Sequence, residues 1–374
     1  MDAIEDGHIE LVGPDIDEFE EGAALPLAIR VEVAGRKMQK DFEPILERRM
    51  HTYINQAMGV MHIGQRNITW IRISKEAFTS GFRYKHFGTI LHNRLHDEFG
   101  EIADKVAVTT YTQQEDVDRL LAEATAAFAE RDARVAGMTD ESVDTFYTCT
   151  LCQSFAPDHV CIISPERLGL CGAYNWLDGK AAYEINPFGV NQPVKKGPVI
   201  DAEAGEWEGV NAAVKQYSHG SLERLNAYSL LKNPMTSCGC FEAIVAMLPE
   251  ANGFMVVNRE FPEMTPCGAK FTTLAGMVGG GKQTPGFLGV GRLYVVSGKF
   301  ISLEGGLSRL VWLTKELKEY LREPLQKRCE EIGEPDLLDK IADEDVGLDV
   351  ESVMAYLADK NHPALTMPSL LEMM

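Results

Sequence analysis

Long apolar runs are missing from this chain. No stretch of 18 or more apolar residues occurs, so hydropathy gives no membrane-spanning helix and no membrane partner is expected. Positive charge is scarce. Lys and Arg number 36 against 56 Asp and Glu, and the net charge of −20 argues against nucleic acid as a partner. The first 22 residues carry nine acidic side chains and no Lys or Arg, so the basic start of a signal peptide is lacking. No internal repeat is found, which gives no support to a solenoid. Cysteine is not abundant enough for a disulfide scaffold. Eight cysteines in 374 residues, tightly spaced, read as metal ligands in a reducing compartment, with the cytoplasm as the expected location. What is present is an ordinary globular composition, 45% hydrophobic and 25% charged, enough for two or three packed domains.

One segment opposes the acidic trend. Between residues 48 and 96, eight Lys or Arg, among them Arg66, Arg72 and Arg83, stand against the single acid Glu76. Five histidines share the stretch: His51, His62, His86, His92 and His96. Such an island would attract an anionic ligand such as a nucleotide-bearing cofactor. A solvated basic face, or a docking patch for an acidic protein, is the plainer reading.

Patterning predicts strands at 27–33, 68–73 and 106–111, and helices at 41–58, 86–99 and 114–134. That alternation makes the first 140 residues one α/β domain. Residues 149–200 are crowded with Pro, Gly and Asn and read as loops and short pieces. Further on, 254–257 and 293–296 read as buried strands, 207–232 as including a helix, 306–331 as one strong helix, and 336–358 as one or two short acidic helices. The expected fold class is α/β (α+β), with two or more mixed domains and a loop-rich metal site in the second, residues 141–374.

Six of the eight cysteines form one framework. Cys149, Cys152, Cys161 and Cys171 run as C-x2-C-x8-C-x9-C, and Cys238-Gly239-Cys240 follows much later. Four thiolates at close spacing suit an iron–sulfur cluster, one per iron. A structural zinc site is the alternative, but it usually shows two short pairs, and Cys161 and Cys171 are not one. Two thiolates flanking one glycine can chelate a metal together with the amide nitrogens of Gly239 and Cys240. That planar N2S2 set suits Ni(II) or Cu(II) and not tetrahedral zinc. The plain alternative is a buried or redox cysteine pair. Cys267 and Cys329 fall outside the framework and read as bystanders, and His159 reads as a hydrogen-bonded loop histidine.

The segments Cys149-Thr150-Leu151-Cys152-Gln153-Ser154-Phe155-Ala156-Pro157, Cys171-Gly172-Ala173-Tyr174-Asn175-Trp176 and Pro234-Met235-Thr236-Ser237-Cys238-Gly239-Cys240-Phe241-Glu242 strongly resemble acetyl-CoA synthase of the Wood–Ljungdahl pathway. The likeness extends across the whole chain. It implies that Cys149, Cys152, Cys161 and Cys171 hold a [4Fe–4S] cluster. Cys152, Cys238 and Cys240 would hold a proximal nickel, and Cys238, Gly239 and Cys240 a distal one. The implied reaction is that of an acyltransferase. It makes acetyl-CoA from carbon monoxide, coenzyme A and a methyl group donated by a corrinoid iron–sulfur protein. The proximal metal position could also take copper or zinc. Phe155 matches a family aromatic that shapes the pocket beside the proximal metal; a core phenylalanine is the alternative. The family places coenzyme A among arginines and a tryptophan of its central domain, which makes Arg66, Trp70, Arg72 and Arg83 the candidates. Bacterial members carry a large N-terminal domain that docks on CO dehydrogenase. This sequence lacks a counterpart, so a short form and weak docking on that enzyme are expected.

Two other classes share parts of this pattern. A nitrile-hydratase-like hydrolase also binds one metal through thiolates and amides, but takes a third cysteine from the same short loop. An electron-transfer or structural iron–sulfur protein would leave Cys238-Gly239-Cys240 without a role. The run Gly276-x4-Gly281-Lys282-Gln283 is a near miss for a phosphate-binding loop. Gln283 stands where Ser or Thr would meet magnesium, so a flexible loop near the cluster is expected rather than a nucleotide site.

Overall fold

The computed structural model describes residues 4–64 and 69–373. It shows a mixed α+β chain that divides into two compact units, Met1–Ala136 and Gly137–Met374.

In the first unit the strands are β1 (Ile9–Val12), β2 (Ala28–Ala34), β3 (Val60–Gly64), β4 (Thr69–Ile73) and β5 (Lys105–Tyr111). The helices are α1 (Glu43–Ile54), α2 (Lys75–Thr79), α3 (Lys85–Phe99) and α4 (Gln114–Ala133). β5 is the centre of a three-stranded sheet, parallel to β1 and antiparallel to β2. β3 and β4 form a separate antiparallel pair. α3 covers the sheet because Phe87, Leu91, Leu95 and Phe99 recur every four residues and are buried. Gly88 lets it come close: a Cβ there would lie 2.5 Å from the Cγ2 of Ile9. α4 is rich in Ala, Leu, Glu and Arg, all good helix formers, and buries only Phe128. The acidic start of the chain forms an edge of the sheet. It supplies β1, and its carboxylates pair with the basic segment: Asp17 with Arg83 at 3.2 Å and Glu21 with Lys75 at 3.0 Å. Asp6 meets His92 and His96 at 3.1 and 2.8 Å.

The second unit opens with β6 (Thr145–Cys149), β7 (Cys161–Ile163), α5 (Trp176–Ile185) and β8 (Pro193–Lys195). β6 lies between β7 and β8, antiparallel to both. A small ribbon, β9 (Val199–Asp201) and β10 (Glu206–Trp207), leads into α6 (Glu208–Tyr217). The main core is a four-stranded sheet in the order β13 (Phe287–Val290), β11 (Ala243–Leu248), β12 (Gly253–Asn258), β14 (Leu310–Leu313). β11 is antiparallel to both its neighbours, and β12 runs parallel to β14. α7 (Phe271–Val278), α8 (Lys315–Tyr320), α9 (Arg322–Glu331) and α10 (Val350–Asp359) complete the unit. β12 up to Val257 and β14 are apolar runs because both faces are covered; all their residues are buried, Asn258 included.

Two expected elements differ. The segment 306–331 is not one helix but a short 3-10 turn, β14, α8 and α9. Leu310-Val311-Trp312-Leu313 is a short apolar run that fits either period, and pairing with β12 decides it. Residues 293–296 lie in a 3-10 turn, Arg292–Val296, instead of a strand. The amide of Arg292 donates to the carboxylate of Glu242, and the Tyr294 hydroxyl to the carbonyl of Lys299, which tie this stretch locally.

The C-terminal tail is locked to this sheet through His362. Its Nε2 lies 3.1 Å from the carbonyl of Leu310, and its Nδ1 accepts from the amide of Ala364 at 3.2 Å. This pattern needs a neutral ring, and burial holds its pKa down at about 4. Above pH 6.5 the neutral ring stabilises the fold in full. Between pH 6.5 and 4 the unfolded chain takes the proton first, so that contribution is lost. At about 1.4 kcal/mol per unit the loss approaches ~3 kcal/mol. Urea denaturation of His362→Gln should therefore lose stability less steeply than the parent over this window. An equal slope would show that His362 does not titrate there.

Candidate metal centre

Local chain geometry brings the first four cysteines into one pocket. β6 ends at Cys149 and β7 begins at Cys161, and register sets these two residues opposite each other. The turn between them carries Cys152 on a 3-10 segment, Leu151–Ser154. The carbonyl of Cys152 accepts from the amides of Phe155 and Ala156, both at 3.0 Å, which closes that turn. Cys171 sits on a second tight turn, in which the amide of Gly169 donates to the carbonyl of Tyr174 and that of Gly172 to the carbonyl of Gly169. Cys149, Cys161 and Cys171 are buried.

The later tripeptide returns to this pocket. Cys238-Gly239-Cys240 immediately precedes β11, and the Sγ atoms of Cys152, Cys238 and Cys240 all lie within 4.8 Å of one another. Three sulfurs this close can all reach one metal ion through bonds of about 2.3 Å once the side chains settle around it. The amide nitrogen of Cys240 is 3.3 Å from the sulfur of Cys238, so sulfur and nitrogen donors face the same point. Gly239 has φ +143°, yet a Cβ there would meet nothing within 4 Å. Backbone conformation, not crowding, requires glycine at this position.

Three contacts tie the two cysteine segments together. Glu242 donates its amide to the carbonyl of Leu170 at 3.2 Å. His159 spans them, with Nε2 3.1 Å from the sulfur of Cys161 and Nδ1 2.9 Å from the hydroxyl of Thr236. The carboxylate of Glu242 packs against Gly172, where an added Cβ would lie 2.5 Å from it. The glycine run then backs the tripeptide: Gly281 donates to the carbonyl of Ser237 at 2.9 Å and Gly280 to that of Cys238 at 3.3 Å. These amides are committed to the chain, and α7 precedes the glycines where a phosphate loop needs a following helix.

The electrostatics are those of a site that needs cations. The thiols of Cys238 and Cys240 beside it, and then burial, push Cys152 up. Burial, and then Cys149, Cys152 and Cys171, push Cys161 up. A hydrogen bond from Cys152 pulls Cys238 down, but Cys240 and burial outweigh it. Burial pushes His159 down to about 4, so its ring is neutral at pH 7. So many buried thiols cannot all ionise side by side unless positive charge compensates them. The donor set is soft and rich in sulfur, and it fits thiophilic metal ions.

Phe155 is not a core residue. It is 68% exposed, three residues beyond Cys152. Cys329 is buried inside α9, and Cys267 meets the hydroxyl of Thr265 at 3.2 Å; neither is among the converging thiols. In the first unit Arg66 lies outside the described residues, as does the side chain of Trp70, whose backbone is in β4. Arg72 is exposed on β4. Arg83 is engaged: besides Asp17, it donates to the carbonyl of Phe82 at 2.8 Å and lies over the ring of Phe78. Sequence reading missed Glu242 and the cross-linking role of His159, at which only the closeness of His159 to Cys161 along the chain hinted. It gave the glycine run as a loop near the cluster, without the hydrogen bonds by which Gly280 and Gly281 back the tripeptide.

Two family models cover nearly all of the chain. The family of the C-terminal region of the ACS/CODH beta subunit matches residues 128–371, and the "CO dehydrogenase/acetyl-CoA synthase complex beta subunit" family matches residues 1–117. The chain is 54% identical over 370 residues to the "Carbon monoxide dehydrogenase/acetyl-CoA synthase subunit alpha" of Moorella thermoacetica, covering 98% of this chain and 51% of that one. It thus spans about half the length of that relative. It is 46% identical over 365 residues to the "Acetyl-CoA decarbonylase/synthase complex subunit beta" of Methanopyrus kandleri, covering 97% and 76% of the two chains. A solved structure of the C-terminal domain of an acetyl-Coenzyme A synthase alpha subunit shares 53% identity over 36% of this chain and 98% of its own, with a TM-score of 0.34. The chain belongs to the ACS/CODH beta subunit family.

Proposed function

We propose that this chain carries out acetyl-CoA synthesis from carbon monoxide, a methyl group and coenzyme A, as an acyltransferase at a nickel–nickel–[4Fe–4S] centre. One observation carries the reading: Cys152, from the four-cysteine segment, shares a 4.8 Å cluster with Cys238 and Cys240. Cys149, Cys152, Cys161 and Cys171 would hold the [4Fe–4S] unit. Cys152, Cys238 and Cys240 would hold the proximal nickel. Cys238 and Cys240, with the amide nitrogens of Gly239 and Cys240, would hold the distal one. Soft sulfur donors and open positions supply low-valent nickel chemistry, in which metal–carbon bonds form.

The protein's own groups then have defined tasks. The neutral ring of His159 steadies Cys161 by hydrogen bonding and leaves its charge unchanged. Exposed Phe155, three residues beyond Cys152, would shape the space open to carbon monoxide and methyl. Arg66, Trp70, Arg72 and Arg83 of the first unit are the candidate coenzyme A contacts. Arg83 would reach a phosphate only by leaving Asp17. The partners in this reading are a corrinoid iron–sulfur protein as methyl donor and CO dehydrogenase, in the cytoplasm.

The chain, purified without oxygen and loaded with nickel, should contain four irons and two nickel ions. It should form acetyl-CoA from coenzyme A, carbon monoxide and a methyl-corrinoid donor. Iron without nickel would turn the reading toward electron transfer. A hydratase-type single metal finds no support, since the third thiol comes from a separate segment and not from the tripeptide loop.

A further inference from the structure

Arg259 lies just beyond β12 and reaches back over the tripeptide. Its Nη2 donates to the carbonyl of Gly239 at 2.6 Å and to that of Phe241 at 2.8 Å. Its Nε donates to the carbonyl of Phe241 at 3.3 Å. The guanidinium lies over two rings, 5.5 Å from the centroid of Phe241 and 5.3 Å from that of Phe271. Its own amide donates to the carbonyl of Glu242. The group is therefore held in place from several sides, with a planar fork aimed at the chain around Cys240.

The carbonyl of Gly239 belongs to the same peptide as the amide nitrogen of Cys240. If Cys238, Cys240 and the two backbone nitrogens held a metal ion, the Cys240 nitrogen would give up its proton to water and bond the ion in its place. No electrons are transferred. Amide resonance spreads the resulting negative charge onto the carbonyl oxygen. A cation donating to that oxygen stabilises this form, and charge-assisted hydrogen bonds are roughly twice as strong as neutral ones. Among the described residues, the other donor peptide, Cys238–Gly239, has only the neutral amide of Gly280 on its carbonyl, at 3.3 Å. The two amides are thus supported unequally.

We propose that Arg259 is a positioning residue that polarises the Gly239–Cys240 peptide and so biases the tripeptide toward ions that take up backbone nitrogen, such as Ni(II), over ions that bind through sulfur alone. This rests on the nickel reading above, and adds to it a reason for metal selectivity outside the ligands themselves.

The test uses the full chain, stripped of nickel by a chelator without oxygen, as the parent and as Arg259→Met and Arg259→Lys. Methionine keeps apolar contact with the two rings but carries no charge; lysine keeps the charge but not the fork. Competition titrations measure Ni(II) through its planar-site visible absorption and Cd(II) through its thiolate charge-transfer band. Arg259→Met should bind Ni(II) about 10–100-fold more weakly, the range for outer-shell partners of metal ligands, with Cd(II) affinity within about threefold. Arg259→Lys should recover part of the nickel affinity. Equal nickel affinity in parent and Met variant, or equal losses for both ions, would overturn the role of Arg259 while leaving the nickel site standing. A parent that never develops the planar nickel absorption would defeat the nickel reading and this inference with it. Should the Met variant fail to fold, the Lys variant alone decides, by whether its nickel affinity falls relative to cadmium.

Discussion

Replacing Cys240 with serine is expected to remove nearly all nickel from the chain and leave its iron in place. Cys240 is one of the two thiols that would serve both nickel positions, and it is not one of the four that would hold the iron–sulfur unit. Losing an outer-shell partner costs about 10–100-fold in metal affinity, so losing a shared sulfur should exceed that. Acetyl-CoA formation should fall below about 1% of the parent. The fold should be nearly indifferent, because Cys240 is only half-buried at the rim of the sheet. Metal analysis beside thermal unfolding separates these effects. A variant that keeps two nickel ions would show that the tripeptide is not the nickel site. Loss of iron together with nickel would show that Cys240 supports the whole centre structurally.

The second large effect is expected from Gly172→Ala. Gly172 has φ +68°, where an L side chain is strained, and its Cβ would lie 2.5 Å from the carboxylate of Glu242. A carboxylate is the end of a flexible side chain and could often move aside. Here it is 6% exposed and accepts from the amide of Arg292 at 2.8 Å, so moving it strands a buried donor. Backbone strain and the lost hydrogen bond together should cost roughly 2–4 kcal/mol. The damage falls at the junction of the two cysteine segments, since Gly172 follows Cys171 and Glu242 follows Cys240 by two residues. Iron and nickel loading should therefore both drop. Gly276→Ala is the control: it lies in α7, its Cβ would meet nothing within 4 Å, and its φ is ordinary. Alanine should stabilise that helix by about 0.5–1 kcal/mol. Equal stability of the two variants would remove the argument for a crowded junction.

The arginines of the basic segment illustrate how tertiary contacts reshape a charge pattern. Along the sequence, residues 48–96 form a cationic block. In the folded unit Arg83 and Lys75 meet carboxylates of the acidic start, and Arg49 meets Glu98 at 2.7 Å. Pairs as exposed as Lys75–Glu21 contribute little to stability, unlike the half-buried, two-bond Arg49–Glu98 pair. They do lower the positive potential that an anionic ligand would feel, which makes Arg72, exposed on β4, the most available of the described candidates.

The sequence by itself determined the chemistry of the donors. Spacing within Cys149–Cys152 and within Cys238–Cys240 is local, and chelation by neighbouring residues can be read without coordinates. Strands β2, β4 and β5 and helices α1, α3 and α4 of the first unit were legible for the same reason, because periodicity over ten or so residues reports which face is buried; β1, β3 and α2 were not read. Tertiary structure alone decided that Cys152 meets Cys238 and Cys240, that His159 and Glu242 join the two segments, and that Arg259 covers the Gly239 carbonyl. It also decided that Leu310–Leu313 is a strand within a stretch of helical pattern. Each of these rests on contacts between residues far apart in the chain. No local preference encodes such a contact; it exists because the buried sheet of β11 to β14 holds its partners at fixed positions.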